Sequence, residues 1–285
     1  MKYGIIDVGS NSVRLLISEN GKSLKKLINT TRLAEGKKDG LLNGESSLRT
    51  LKAIKEFILL AQENGADKVY IFATAAVRNA KNGAEFAVAV KSECGYELDV
   101  VSGEIEAELG ILGALNGRDG AVLDIGGGST EIAVRKNGKL VYTKSIPIGA
   151  VVLTDEFGQN AAKILDFARR KVKDFGNVPQ SEFYCIGGTC TSLAAVSLKL
   201  CEYDGEKVHG YVFTTGELFS LVKEISSLSV IERRNLAGMQ KERADIIHAG
   251  ACIFQAVLEY VGAEKITVSE NDNLEGYLAY ITEKR

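Results

Sequence analysis

Tryptophan is absent from the 285 residues, and proline and histidine occur only twice each. So little proline excludes a Pro-rich linker or a collagen-like repeat. The two histidines, His209 and His248, are far apart in sequence, which sets aside a histidine-based metal cluster. Cysteines stand at 94, 185, 190, 201 and 252, an odd number with no CxxC pair. That argues against a disulfide framework or zinc knuckle and for reduced, mostly buried thiols. No stretch approaches the roughly 18 apolar residues that span a bilayer. The opening MKYGIIDVGSNS turns polar too soon to read as a signal peptide or anchor, so a cytoplasmic protein with no membrane partner is expected. Lys plus Arg is 35 against 37 Asp plus Glu, a net charge of −2, which is not the basic balance of a dedicated DNA or RNA binder. A local basic cleft stays open. With 45% hydrophobic and 25% charged residues, the composition is that of a globular chain long enough for two domains.

What the chain has in quantity is glycine, 30 residues. Its N-terminal part reads as strand, turn, strand over YGIID, VGSNS and VRLLIS, with Asn20-Gly21 as a hairpin signal before SLKKLINTTRL, a third predicted strand. Leu48, Leu51, Ile54, Ile58 and Ala61 space one face of a helix over 45–63. KVYIFATAA is a buried strand, 82–93 a helix, ELDVVSG a strand running into a loop, and EIEAELGILGAL a short amphipathic helix. The pattern breaks at Asn116–Gly120 and restarts as AVLDIGGGSTEIAV. Laid over IIDVGSNSVRLLI, this second segment puts Asp124 on Asp7, Gly126 on Gly9, Ser129 on Ser12 and Glu131 on Arg14, at a constant offset of 117. Each copy ends in a hairpin signal, Asn20-Gly21 and Asn137-Gly138. Such a recurrence means a duplicated architecture. One long helix is expected over 153–175, then a strand entering Gly187-Gly188 and a helix, helices at 217–228, 230–236 and 245–261, the strand KITVS, and a terminal helix in NLEGYLAYITEKR.

The glycine turns carry the chemistry. After a buried strand, a turn without Cβ atoms lets backbone N–H groups reach phosphate oxygens. Asp124–Thr130 offers Gly126, Gly127, Gly128 and two hydroxyls including Ser129; Asp7–Ser12 offers Gly9, Ser10, Asn11 and Ser12. Gly187-Gly188-Thr189 is a third turn, with a predicted helix N-terminus behind it. No Walker A or Rossmann fingerprint is present. Singly, each turn is equally an ordinary hairpin; together the three point to phosphate. Asp7 and Asp124 end their strands at these turns, where acids commonly hold Mg²⁺. Glu106 could deprotonate a water, yet on spacing alone Glu104, Glu106 and Glu108 read as ordinary first-turn helix acids. Arg14, Arg78 and Arg243 are candidate phosphate forks. Cys185 and Cys190 flank the third turn and read as core residues.

IDVGSNSVRLLI, ATAAVR (73–78), SGEIEAELG (102–110), LDIGGGSTEI (123–132), IGGTCTSLA (186–194), VHGYVFT (208–214) and ERADIIHAG (242–250) resemble, in order and interval, the exopolyphosphatase/guanosine pentaphosphate phosphatase family of the actin/hexokinase/Hsp70-like superfamily. The resemblance covers nearly the whole chain. It implies an α/β fold of two ribonuclease-H-like domains with an interdomain cleft, placed at 1–117 and 118–285, the terminal helix (about 274–285) packing back on the first. It implies hydrolysis of the terminal phosphoanhydride of inorganic polyphosphate or guanosine pentaphosphate with Mg²⁺ or Mn²⁺, and it allows a homodimer. Under it, Glu106 matches the catalytic base, Glu131 a second acid serving water or metal, and Asp124 and Asp7 the metal acids. Ser10, Asn11, Ser12, Arg14, Arg78, Gly126, Gly127, Gly128 and Ser129 match phosphate contacts, and Gly188 and Thr189 are expected to join them. Two departures stand out: Glu108 and Leu274 occupy positions where the family usually has arginine. The alternatives are a small-molecule kinase of the same superfamily and a non-catalytic regulator that binds guanosine polyphosphates.

Overall fold

The computed structural model describes residues 1–36 and 39–283. The first strand, β1 (Lys2–Val8), is buried from Gly4 onward, and Asp7 is its one buried charge. It pairs antiparallel with β2 (Val13–Glu19), which pairs with β3 (Lys22–Asn29). The predicted third strand thus stops at Asn29 instead of running on through Leu33. Helix α1 (Gly44–Glu63) starts at Asn43, whose side chain accepts from the Glu45 N–H. Leu51, Ile54, Phe57, Ile58 and Ala61 are buried, but Leu48 is 66% exposed. In that turn the buried positions are Ser46 and Thr50, whose hydroxyls donate to the carbonyls of Leu33 and Ser46. There follow β4 (Lys68–Ala73), the single-turn α2 (Ala75–Arg78), α3 (Gly83–Cys94), β5 (Leu98–Val100) and α4 (Gly103–Leu115). Helix α4 is not amphipathic as expected: from Glu106 to Leu115 only Glu108 and Leu112 are more than slightly exposed.

The second half holds β6 (Gly120–Ile125), β7 (Thr130–Lys136), β8 (Lys139–Ile146), α5 (Ala150–Phe157), α6 (Ala161–Lys171), β9 (Phe183–Ile186), α7 (Gly187–Ser197), α8 (Gly205–Val208), β10 (Val212–Thr214), α9 (Thr215–Ser227), α10 (Val230–Arg234), α11 (Ile247–Val261) and β11 (Lys265–Val268). Helix α12 (Asn273–Glu283) closes the chain; Lys284 and Arg285 of the expected terminal helix lie outside the described residues. The chain forms two compact units, Met1–Gly113 with Asn273–Arg285, and Ala114–Asp272. The division falls inside α4, ahead of the Asn116–Gly120 break. Helix α12 belongs to the first unit, where Leu274, Tyr277 and Leu278 join Ile5, Leu16, Phe72, Val101 and Leu109 in one apolar cluster. The Tyr277 ring stacks on Phe72 at 4.4 Å, and its hydroxyl donates to Asp99. Full burial of each such side chain contributes about 1.5–3 kcal/mol.

The two units repeat one α/β plan. Their sheets run β3-β2-β1-β4-β5 and β10-β11-β9-β6-β7-β8, each with an antiparallel triple followed by two parallel strands, and β10 adds an antiparallel edge to the second. The correspondence reaches the irregularities: the register shifts between Ile17 and Ser18 in β2, and between Val134 and Arg135 in β7, again 117 residues apart.

The long helix expected over 153–175 is broken into α5, α6 and a 3-10 turn at Val172–Phe175. Gly158 takes a positive φ of 58° after α5. The break is held by a buried Arg233. Its guanidinium donates to the carbonyls of Leu228 and Ala244, to Gln159 Oε1 in the break, and to Nδ1 of His248 at 3.1 Å. Arginine only donates, so Nδ1 accepts and the proton sits on Nε2, which donates to the Gly158 carbonyl. Burial, followed by the charge of Arg233, pulls His248 down to about 4 from 6.5. The unfolded chain therefore binds a proton that the folded chain refuses between these values. Stability from this group is complete above pH 6.5 and is lost as pH falls toward 4, by up to about 1.4 kcal/mol per unit. Urea unfolding of the intact chain from pH 7 to 4.5 should give this slope, and His248→Gln should flatten it; equal slopes would refute the tautomer and its network.

Candidate phosphate site

The first two turns share two hydrogen bonds and differ in a third. Gly9 N–H donates to Ser12 O, and Gly126 N–H to Ser129 O, both at 3.0 Å. The Ser10 carbonyl is taken by the Ala34 N–H and that of Gly127 by the Val151 N–H, both at 2.9 Å, so even the distant donors are 117 residues apart. Arg32 N–H caps Asn11, and Ala150 N–H caps Gly126. Three of the carbonyls of each turn are engaged in this way. Among the described residues, the N–H groups of Gly127 and Gly128 donate to no backbone carbonyl. The Asn11 side chain is 7% exposed, and neither its oxygen nor its nitrogen has a hydrogen-bond partner in the protein. An amide left so costs stability unless a ligand or water meets it. Gly149 permits the close fit of α5, since a Cβ there would stand 2.5 Å from the Gly128 nitrogen.

In the first unit, Asp7 and Arg14 are cross-strand partners and form an ion pair through Nε at 3.0 Å and through Nη2. Asp7, expected at a metal, thus already carries a guanidinium. Arg78, expected on phosphate, donates through Nη1 to Glu106 at 2.6 Å and to the Val101 carbonyl. The structure separates the three acids of α4. Glu104 is exposed, and its own backbone N–H, with Ser102, holds its carboxyl low. Glu108 is half-buried. Glu106 is 6% exposed, and burial pushes its carboxyl up against the opposing pull of Arg78.

In the second unit, Asp124 faces Glu131 across β6 and β7, the positions of Asp7 and Arg14. Glu131 is 2% exposed and accepts from Ser145 at 2.6 Å, its register partner on β8. Residue spacing gave no means of finding Ser145. Asp124 also lies against the third turn: a Cβ on Gly187, whose φ is +81°, would meet its carboxylate at 2.5 Å. Thr189 uses its hydroxyl on the Ile125 carbonyl, tying the third turn to the second and leaving only its backbone for a ligand. Arg243 lies directly over Gly188, where any Cβ would displace its guanidinium. Helix α7 begins there with no side-chain cap. Cys185 and Cys190 are fully buried, and burial raises the Cys190 thiol well above its ordinary value, as suits core residues.

Among the described residues no three His, Cys, Asp or Glu side chains form a metal cage. The facing pair Asp124 and Glu131 fits Mg²⁺, which binds through one or two carboxylates and takes its other ligands from water and phosphate.

A family profile described as the Ppx/GppA phosphatase family matches residues 17–284. A bifunctional 3-dehydroquinate synthase/phosphatase from Fusobacterium nucleatum is 30% identical over 95% of this chain, which spans only 45% of that protein. Exopolyphosphatase 2 of Mycobacterium tuberculosis is 30% identical, with 96% of this chain and 97% of that one covered. The crystal structure of the Aquifex aeolicus member of the Ppx/GppA family superposes with a TM-score of 0.82 at 31% identity, covering 100% of this chain and 98% of that one.

Removing Arg78 would strand the buried Glu106 charge. Arg78→Ala should lower unfolding free energy by about 3 kcal/mol in urea titration, and Arg78→Ala with Glu106→Leu should recover much of it. A single variant as stable as the parent would show the pair to be solvated.

Proposed function

The chain belongs to the Ppx/GppA phosphatase family, and from that premise we propose that it hydrolyses the terminal phosphoanhydride of inorganic polyphosphate, with guanosine pentaphosphate as a second substrate of the same chemistry. The observation that carries this reading is the twice-built turn with its carbonyls bonded away and its N–H groups left for an anion. Glu106 is the group that orients and deprotonates the attacking water. A raised carboxyl pKa brings a base nearer the working pH. Backbone N–H groups of Ser10–Ser12 and of Gly126–Ser129 bind phosphate oxygens, joined by the Asn11 amide and by Gly188 and Thr189 at the start of α7. Arg14 and Arg78 bind phosphate as forks, with Asp7 orienting Arg14 and Glu106 orienting Arg78. Arg243 does the same over the third turn.

Asp124 and Glu131 would hold Mg²⁺, with Ser145 fixing the Glu131 carboxylate. When bound, the ion neutralises charge on the phosphoryl oxygens. Leu274, at a position where the family resemblance leads one to expect arginine, is 1% exposed within the apolar cluster. Its side chain serves packing, so the phosphate grip falls to the turns and the remaining arginines.

Phosphate release should be measured with tripolyphosphate, long polyphosphate, guanosine pentaphosphate and ATP. Polyphosphate should turn over fastest and ATP least; release from none would overturn the reading. Glu106→Gln should reduce kcat about 10²–10⁴-fold with KM little changed. Asp124→Asn should raise the Mg²⁺ concentration for half-maximal rate at least tenfold, while Glu106→Gln leaves that concentration unmoved. The reverse pattern would exchange the two assignments.

A further inference from the structure

Two glycines outside the phosphate turns pack against the helices that carry Glu106 and Arg78. Gly276 lies within α12 and is buried. A Cβ on it would stand 2.6 Å from the carbonyl carbon of Leu109 and 2.9 Å from its Cα, closer than real Cβ atoms come. The obstacle is backbone, so no side-chain rotation relieves it. Leu109 is three positions after Glu106, one turn along α4 on the neighbouring face. Gly83 is the first residue of α3 and is likewise buried. A Cβ there would stand 3.2 Å from the Val77 carbonyl carbon and nearer still to its oxygen. Val77 precedes Arg78. Each end of the pair is therefore backed by a backbone contact only glycine allows: α12 sets how close α4 comes, and α3 sets how close α2 comes.

The tolerance between these contacts is small. Nη1 of Arg78 meets Glu106 at 2.6 Å and the Val101 carbonyl at 3.1 Å. A shift of a few tenths of an ångström at either helix would lengthen one of these bonds or turn the carboxylate. Catalytic groups tolerate little misplacement, and errors of about 1 Å cost on the order of 10²-fold. We propose that Gly276 and Gly83 are positioning residues that set the placement of Glu106 and Arg78, so that the terminal helix is part of the catalytic apparatus without touching substrate. This rests on the assignment of Glu106 as the base.

The test is a double-mutant cycle on the full chain, with kcat and KM for long polyphosphate as readouts. Gly276→Ala and Gly83→Ala should each lower kcat at least tenfold with KM within about threefold. In a Glu106→Gln background, where the base is already lost, Gly276→Ala should cost kcat less than about twofold more. The control is Gly4→Ala: its Cβ would stand 2.7 Å from the Ala61 side chain, in the same unit but at neither end of the pair. It should lower Tm while leaving kcat within about twofold. If Gly276→Ala does not fold, Gly83→Ala carries the same cycle from the other end. Unchanged kcat in folded Gly276→Ala and Gly83→Ala, or a full additional loss in the Glu106→Gln background, overturns the inference. Undiminished turnover of Glu106→Gln alone would instead overturn the assignment of the base.

Discussion

A turn that offers N–H groups to an anion must find donors for the carbonyls on its other side. A buried carbonyl without a partner costs about 1–3 kcal/mol. Both units meet this demand with a segment that returns from elsewhere in the chain: Arg32 and Ala34 in the first, Ala150 and Val151 in the second. The segment is a loop in one case and a helix N-terminus in the other; the carbonyl of Ser10 and its counterpart Gly127 are engaged alike, while the second bond falls on Asn11 in one unit and on Gly126 in the other. The sheets, with their matching register shifts, can be understood as the frame that carries these returning strands of hydrogen bonds to the right place. The demand explains why the correspondence extends beyond the strand–turn–strand unit that recurs in the sequence.

Within that shared frame one substitution separates the two halves. At the position opposite the strand-end acid, the first unit has Arg14 and the second has Glu131. The first acid is thereby matched by a covalently attached cation. The second faces another carboxylate, and like charges directly across a strand pair are unfavourable. Under the proposed function, a divalent cation would make the facing of these two carboxylates favourable. The duplication thus sets an arginine opposite the strand-end acid in one half and a second acid in the other.

Sequence reasoning reached the strands, the turns and the recurrence because these depend on local features: buried runs, hairpin residues and glycine. It misjudged what tertiary contacts decide. Leu48 has helical spacing but faces water, because Ser46 and Thr50 take up the buried positions through hydroxyl bonds to nearby carbonyls. The helix predicted over 153–175 breaks at Gly158, which takes a positive φ, and Arg233 and His248, some 75–90 residues on, hold the break through the side chain of Gln159 and the carbonyl of Gly158. Glu106 could not be told from Glu104 and Glu108 by spacing, since burial and Arg78 make the difference. Ser145 and the pairing of Asp7 with Arg14 required the strand register.

The third turn shows how the remaining charges fit together. The first turn of α7 presents the positive end of a helix dipole, without a side-chain cap to satisfy it. Over the same residues lies the Arg243 guanidinium, held by Gln240 and pressed against Gly188. A cation at the positive end of a helix is electrostatically adverse, so helix stability does not account for its placement. Asp124 beside Gly187 offsets part of this positive field from one side. The guanidinium and the first turn of α7 thus place positive charge against the same glycines. Under the proposed function, a phosphate oxygen would have the charge and the lone pairs to accept from both. The glycines at 187 and 188 meet opposite needs: one leaves space for the Asp124 carboxylate, the other for the Arg243 guanidinium.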